Sequence, residues 1–558
     1  MIKSLFKILS LGLVVVSFAS CNDVLDETPD NRTDIDTPEK VKLLLTSGYP
    51  QSVPAVICEL SGDNLVDNNV VVPSTHNDPY SAFHEETYKW EDINNYSTSE
   101  QDTPYAVWEA YFGGIAVCNH AIEAIEEMAE ERGTTPQTDT DLSPAWGEAH
   151  VLRAYLHFML STIFAEAYKD STQSQNDMAI PYVTDPETTV NVDYGSQRKT
   201  VKELYDLIEA DILEGINYID DASYTVPAYH FNQNAANAFA ARFYLAKREY
   251  EKVVQYATAA LGSNPSSSLR NWANISTNTI SAQLNGYNDE SVTANFLIQD
   301  AYSLQDRMLS ACRYAINTGS TTYGVPDTQD ILYSSGPNWS SRLPAYDGRI
   351  FIWSAGQEYG IWLFNVYEYF EYTDKIAGIG YVHILYHPFT AEETLLCRAE
   401  AELYLGNIDA AISDLGYWTS SKQVTTALDL SSITTFYGNS RNSDYLSDIH
   451  PQEMSSEFKT LTQDEEYVLQ CILHFRRIET MFEGLRWFDI KRYGINVHHA
   501  YRGAQEYNVT EDDLTWDDPR RVLQIPNNVI TAGYPSTDRT SNDFNQNSSM
   551  TSNPILAK

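Results

Sequence analysis

Two stretches constrain this fold more than anything else in the sequence: AANAFAARFYLAKREYEKVVQYATAAL (Ala235–Leu261) and EETLLCRAEAELYLGNIDAAISDLGYW (Glu392–Trp418). In each, apolar residues recur three and four apart, which gathers them on one face of a helix. The first breaks at Lys247–Arg248, beside the small Ala246, and resumes with Tyr250 and Ala257. The second turns at Gly406 and resumes with Ala410 and Ala411 as small packing positions. The pattern specifies a helix, a tight turn and an antiparallel helix, twice. Leu245 and Leu405 lie 160 residues apart, so the units are helical hairpins separated by long inserts and not a tandem solenoid.

Other segments read as helices too. Thr37 is an N-cap candidate with Pro38 at the first helical position. Helical spacing runs through Tyr105–Met128 and Trp146–Tyr168, and Thr200 with Glu203 forms a capping-box signature for Thr200–Ile219. Residues 262–390 are rich in Ser, Asn, Gly and Tyr and lack a sustained helical period. Their densest aromatic zone, Tyr333–Tyr372, alternates weakly and suggests short strands. Residues 420–460 and 533–558 read as loops. Long loops in a compact body are usually functional or disordered, and the aromatic content argues against disorder. The fold class is therefore mainly α, with loop-rich inserts that carry short strands.

The N-terminus has Lys3 and Lys7, then an apolar run, Ile8–Phe18, too short to span a bilayer, then Ala19, Ser20 and Cys21. This resembles a bacterial lipobox, with Phe18 where Leu is usual three before the cysteine. The resemblance implies a signal peptide over 1–20, acylation of Cys21 and a flexible tether over 21–40. Two or three acyl chains anchor stably where one does not. The expected layout continues with a helical part over 41–261, a loop-rich insert over 262–390 that carries the ligand face, and a C-terminal part over 391–558, with 21–558 as one compact body. The chain has 36 Lys+Arg against 77 Asp+Glu, a net charge of −41, which argues against nucleic acid as a partner. The other cysteines, Cys58, Cys118, Cys312, Cys397 and Cys471, are odd in number and scattered. They form neither a disulfide framework nor a zinc motif. Cys118, Cys397 and Cys471 read as small buried apolar groups.

Against that acidity, HFRRIETMFEGLRWFDIKRYG (His474–Gly494) stands out as basic and aromatic. Phe475, Ile478, Phe482, Leu485 and Phe488 recur at helical steps, and Glu483 can pair with Arg486 on the surface. Gly484 costs about 1 kcal/mol in a helix interior, so it calls for a reason such as close backbone approach. By itself the stretch reads as an amphipathic helix with one buried face and solvated charges on the other.

Taken with the rest of the chain, this stretch resembles the signature of the SusD/RagB family of outer-membrane lipoproteins from Bacteroidetes-type bacteria. It is carried here by Arg476, Arg477, Glu479, Glu483, Gly484, Arg486, Trp487, Asp489, Ile490 and Arg492. GEAHVLRAYLHF (Gly147–Phe158), YDGR (Tyr346–Arg349), VLQIP (Val522–Pro526), Asn553–Pro554 and the two tetratricopeptide-like hairpins agree. The resemblance implies a SusD-like fold in which the signature helix is framework; we expect its guanidinium groups to hold buried or semi-buried carboxylates and carbonyls, with Glu479, Glu483 and Asp489 as internal partners. It implies cell-surface capture of an oligosaccharide, or in some members a peptide, and delivery to a SusC-like TonB-dependent transporter, with no bond broken.

Sugar capture needs aromatic plates for C–H faces and polar groups for hydroxyls. Tyr88, Trp90, Tyr287, Tyr302, Tyr323 and Trp339 are candidate plates, and Asp63 and Asn64 are candidate hydrogen-bonding groups. A surface glycoside hydrolase and a protein-binding scaffold are the rival classes, but no nucleophile elbow, phosphate loop or metal-binding helix is visible. His383 and His387 read as core or capping residues, and the adjacent His498 and His499 point apart. No cofactor is expected. Calcium occurs in some relatives, but Asp139–Ser143 lacks the Gly and terminal Glu of a helix-loop-helix site.

Overall fold

The computed structural model describes residues 35–71, 81–186, 198–262, 264–315, 335–349, 351–355, 358–502, 509–537 and 539. Cys21, Tyr323 and Asn553–Pro554 lie outside them. In chain order the principal elements begin with α1 (Pro38–Thr46), α2 (Ala55–Ser61), α3 (Ala82–Tyr88), α4 (Pro104–Glu131), α5 (Ser143–Phe164) and α6 (Val201–Gly215). The first hairpin is α7 (Gln233–Lys247) and α8 (Tyr250–Leu261). Then come α9 (Ile280–Asn288), β1 (Asn295–Ala301), α10 (Gln305–Ala311), β2 (Tyr367–Asp374) and β3 (Ile379–Thr390). The second hairpin is α11 (Ala391–Tyr404) and α12 (Ile408–Ser421), followed by α13 (Leu430–Tyr437), α14 (Gln463–Glu479) and α15 (Arg486–Tyr493).

Helix boundaries follow local chemistry. The Thr37 side chain accepts from the Lys40 amide with Pro38 at the first position, and Thr200 and Glu203 form the reciprocal box. The first hairpin turns through Arg248, whose φ of 62° is left-handed, and the second through Gly406, with φ of 85°. Although the hairpins are far apart in sequence, α8 packs on α11, and α14 closes over α11 and α12. The inserts thus leave and rejoin one stacked helical array.

Among the described residues the insert carries more strand than its weak alternation suggests. Antiparallel β1–β3–β2 form a three-stranded sheet, and the strands Phe351–Ala355 and Glu358–Trp362 pair separately. The stretch 420–460 also holds α13 and a short helix, Pro451–Met454. One apolar cluster runs in sequence from Tyr49 to Tyr534, and a second, smaller one joins α1, α4 and α5 through Val41, Leu45, Ile125 and Trp146. Cys118, Cys397 and Cys471 are buried and free.

The basic stretch departs from the reading as one amphipathic helix with solvated charges. The helix stops at Glu479, residues 480–485 turn, and α15 begins at Arg486. Gly484 sits at φ 76° with its amide donating to Glu59 Oε1 at 2.9 Å. A Cβ there would lie 2.8 Å from the Ala55 Cα, so the glycine is required by close approach to α2. The turn points its charges inward. Arg476 donates to Glu400 at 2.7 Å and to Asp489 at 2.8 Å. Arg492 donates to both Glu400 oxygens, at 2.8 and 3.0 Å, and Tyr493 Oη adds a bond of 2.6 Å to Glu400. Two guanidinium groups and two carboxylates thereby neutralise one another out of water.

A second knot uses Arg486, whose fork grips Asp63 at 2.9 and 2.7 Å. Arg477 donates to Asn64 Oδ1 at 2.8 Å and to the Asp63 carbonyl. Asp489 is the guanidinium partner that was expected. Glu479 instead accepts from Trp418 Nε1 at 2.7 Å and pairs with Lys422. Glu483 is half-buried, accepts from the Asn365 side-chain amide at 3.0 Å and makes no surface pair with Arg486. Trp487 is fully buried.

Removing one partner from a buried ion pair leaves the other charge uncompensated, at a cost of about 3–5 kcal/mol. Arg476→Ala and Glu400→Ala are each expected to lower the unfolding free energy by that order, seen in calorimetry as a lower melting temperature. An unchanged transition would contradict the role given to this network.

Buried carboxyls also set a pH dependence. Burial pushes Glu59 and Asp102 up to about 7, and Asp306 and Glu483 up to about 8. The folded chain therefore holds protons that the unfolded chain releases near pH of about 4. Stability from these groups is complete below that value and is lost as pH rises towards 8. Burial would raise Glu400 as well, but Arg492 and Arg476 overcome it and hold it at about 2. Its contribution is present above about 4 and is lost as pH falls towards 2. The melting temperature should peak in mildly acidic buffer and decline towards pH 8, which differential scanning fluorimetry across pH reads directly.

Candidate functional site

An open cleft of about 1000 Å³ lies between the sheet and the N-terminal end of α4. Its sheet wall follows from strand register. Tyr369 of β2 sits opposite His383 of β3, and Glu371 opposite Tyr381. Alternation in β-strands sends all four side chains to the same face. Asp300, near the end of β1, and Tyr302, just beyond it, complete this wall. The facing wall is the loop Thr98–Gln101 with Ala106, Glu109 and Ala110 of α4, and Gln51 and Ser52 form the rest of the lining.

The loop is held by two devices. Thr103 caps α4 by accepting from the Ala106 amide at 3.1 Å. Asp102 has φ of 63° and is fully buried. It accepts from Ser303 Oγ at 2.6 Å and from the Leu304 amide at 2.8 Å. These bonds pin the loop to the segment after β1. The Tyr302 amide donates to the Gln51 carbonyl at 2.8 Å, which fixes the base of the cleft.

The sheet wall is organised around His383. Its Nδ1 lies 2.9 Å from Asp300 Oδ2, and its Nε2 lies 3.2 Å from Glu371 Oε2. Tyr369 Oη donates to Asp300 Oδ1 at 2.7 Å. Burial and then Asp300 push the Tyr369 phenol well up, so it remains a neutral donor. Tyr302 and Tyr381 meet edge to face, with centroids 5.1 Å apart and planes at 79°, and Tyr302 also packs on His383 at 5.7 Å. Tyr381 is 48% exposed, so one ring of this corner faces solvent. Beyond it, residues 370–379 are all exposed, with Phe370, Tyr372, Ile376 and Ile379 on a projecting finger.

Chemically, the cleft offers tyrosine faces for apolar C–H surfaces, carboxylate acceptors for hydroxyls, and the amides of Gln51 and Gln101. Among the described residues no group of three or more His, Cys, Asp or Glu is placed to hold a metal ion, and no helix is long and apolar enough to cross a membrane.

Of the described candidate residues, Tyr302 alone lines this cleft. Tyr88 and Trp90 instead sandwich the buried His499 at 4.0 and 4.1 Å. The Trp90 indole donates to the Ser61 carbonyl. Tyr287 lies under the Arg270 guanidinium at 3.5 Å and against Phe364. Trp339 packs on Phe475 at 5.5 Å. These four candidate plates are interior because each completes a ring or cation stack. Asp63 and Asn64 are taken by Arg486 and Arg477, as described above. Burial would raise Asp63, but Arg477 and Arg486 hold it well below the usual carboxylate range.

His387 is a core residue as expected, with burial pushing it down to about 3, whereas His383 lies in the cleft wall. His498 and His499 do point apart, one exposed against Asp513 and one buried. Sequence reasoning missed Tyr369, Glu371 and Tyr381. The alternation in YEYFEY (Tyr367–Tyr372) was the available signal, but it does not say which face meets solvent.

Two family models match the chain: one described as starch-binding associating with outer membrane, over residues 23–245, and the SusD family, over residues 390–554. A SusD-like protein, P38, from Formosa agariphila is 23% identical, covering 93% of this chain and 99% of its own. Among solved structures, a SusD superfamily protein from Bacteroides thetaiotaomicron superposes with a TM-score of 0.57 at 16% identity, over 90% of this chain and 100% of that one. A SusD superfamily protein from Bacteroides vulgatus gives 0.55 at 17% identity, over 90% and 98%. A SusD-like carbohydrate binding protein from the same species gives 0.51 at 14% identity, over 93% and 96%. At these identities the structural matches speak to the fold.

Proposed function

The chain belongs to the SusD/RagB family, and from that premise we propose that it captures an oligosaccharide in the cleft between α4 and the three-stranded sheet. It does so at the cell surface, anchored through acylated Cys21, and passes its ligand to a SusC-like TonB-dependent transporter without breaking a bond. The observation that carries the reading is the corner of Tyr302 and Tyr381, one ring half exposed, opening on a cleft with carboxylate and amide groups around it. Sugar rings present apolar C–H faces beside hydroxyls, and such a corner can bury the one while acceptors take the other. The helical hairpins leave a separate surface for contact with a transporter, so capture and docking need not compete.

Affinity electrophoresis over a panel of polysaccharides tests the capture. Retardation by at least one class is expected, and Tyr302→Ala or Tyr381→Ala should weaken it by about tenfold, equivalent to about 1.4 kcal/mol. Their melting temperatures should stay near that of the parent chain. Retardation unaffected by both substitutions would move the site elsewhere. No retardation at all, with the transporter still co-purifying, would favour a scaffold; release of reducing ends would favour a hydrolase.

Anchoring is tested separately. Labelled fatty acid should enter the chain and be lost in Cys21→Ser, with the protein then released from the membrane fraction. Equal labelling of the variant would refute acylation at this cysteine.

A further inference from the structure

The charge on the cleft wall is one-sided. Its acidic groups are Glu100, Glu109, Asp300 and Glu371, and among the described residues no Lys or Arg lines it. His383 is the one lining side chain able to carry positive charge, and Asp300 and Glu371 already bracket it. The four carboxylates are unequally engaged. Glu100 accepts from Ser81 Oγ and from the Ser97 amide, and Asp300 holds His383 and Tyr369. Glu371, with its side chain 60% exposed, and Glu109, exposed on α4, keep acceptor capacity towards the cleft.

A second observation is independent of charge. Ser52 lines the cleft and is 5% exposed, yet its Oγ has no hydrogen-bond partner. Buried hydroxyls are rarely left unsatisfied in a finished site. A third is the surround of Tyr302, Tyr369 and Tyr381, whose ring faces attract cations.

Resting on the capture reading above, we infer that the cleft takes an oligosaccharide bearing protonated amino groups, in preference to acetylated, uncharged or acidic chains. An ammonium group offers three donors and no acceptor. That is the complement of a lining made of carboxylates and π faces. A uronic or sulfated chain seated against these carboxylates would bring its anions within the screening length, about 8 Å at physiological ionic strength, so the repulsion would not be screened away. A basic peptide shares the cationic chemistry. The wall, however, is a ring-bearing sheet face, which suits pyranose C–H faces, whereas extended peptides are usually held by pairing with a strand edge.

The test is calorimetric titration of the full chain, in detergent, at a pH where amines are protonated. The probes are a β-1,4-linked glucosamine hexamer, its fully N-acetylated counterpart, a galacturonate hexamer and a lysine-containing hexapeptide. The glucosamine hexamer is expected to bind tightest, about tenfold or more tighter than the N-acetylated form, and the galacturonate hexamer weakest. Raising the salt should shrink the gap severalfold. Glu371→Gln and Glu109→Gln should each lower the ratio of the two glucosamine affinities.

Equal affinity for the free-amine and acetylated hexamers, or tighter binding of the acetylated or acidic one, would overturn the amine assignment while leaving capture standing. Tighter binding of the peptide would overturn the assignment to a glycan. A preference that survives unchanged in both Glu371→Gln and Glu109→Gln would reveal attraction to the acidic exterior and overturn the cleft as its source. If no probe and no polysaccharide of the wider panel binds, the capture reading itself fails.

Discussion

The interaction on which the rest of this structure depends is the buried quartet of Glu400, Arg476, Asp489 and Arg492. No member could be buried alone: an isolated charge in a low-dielectric interior is prohibitively unfavourable, whereas charges in a matched, hydrogen-bonded set neutralise one another. Glu400 comes from α11, Arg476 from α14, and Asp489 and Arg492 from α15. These helices therefore gain stability only when assembled together. Arg492 also donates to the Leu245 carbonyl, at 3.3 Å, near the end of α7. The quartet thus reaches from the second hairpin into the first and ties together segments separated by the whole insert.

This arrangement explains why an acidic chain keeps a basic stretch. Its cations are spent inside. Arg242 pairs with Glu393, Arg313 with Asp67 and Arg398 with Asp414, all buried or nearly so. Each pairing withdraws one positive and one negative charge, which leaves the net charge unchanged but makes cations a smaller share of what remains outside. The cleft follows the same logic, with carboxylates on its walls and the guanidinium groups elsewhere. The frame also positions the cleft, since α4 packs in the helical layer and β3 leads directly into α11. Beyond the frame the sheet continues as an exposed finger, which is where rings remain open to solvent.

Much of the frame was legible in the sequence because it obeys local rules. Helical periodicity located α4 to α8 and the second hairpin, and side-chain chemistry located the caps at Thr37 and Thr200. The turn at Gly406 and the constraint on Gly484 were visible as residues that needed a reason. What misled was burial. The ring of Trp90 and the carboxylate of Asp63 have the composition of a binding surface, but Trp90 completes a stack on His499, a residue 409 positions further along the chain. Asp63 completes a fork from Arg486. Neither partner is near in sequence, so neither assignment could be made from local pattern.

The sequence by itself determined the helical hairpins, their antiparallel packing, the acidic balance and the family to which the chain belongs. These depend on periodicity, propensity and short motifs, which act over a few residues. Only the tertiary structure decided which tyrosines face water and which carboxylates are neutralised. Burial and pairing are relations between distant segments: Tyr302 and Tyr381 form a corner only because β1 and β3 are neighbours in one sheet, and Glu371 stays open because no cation was folded against it beyond His383.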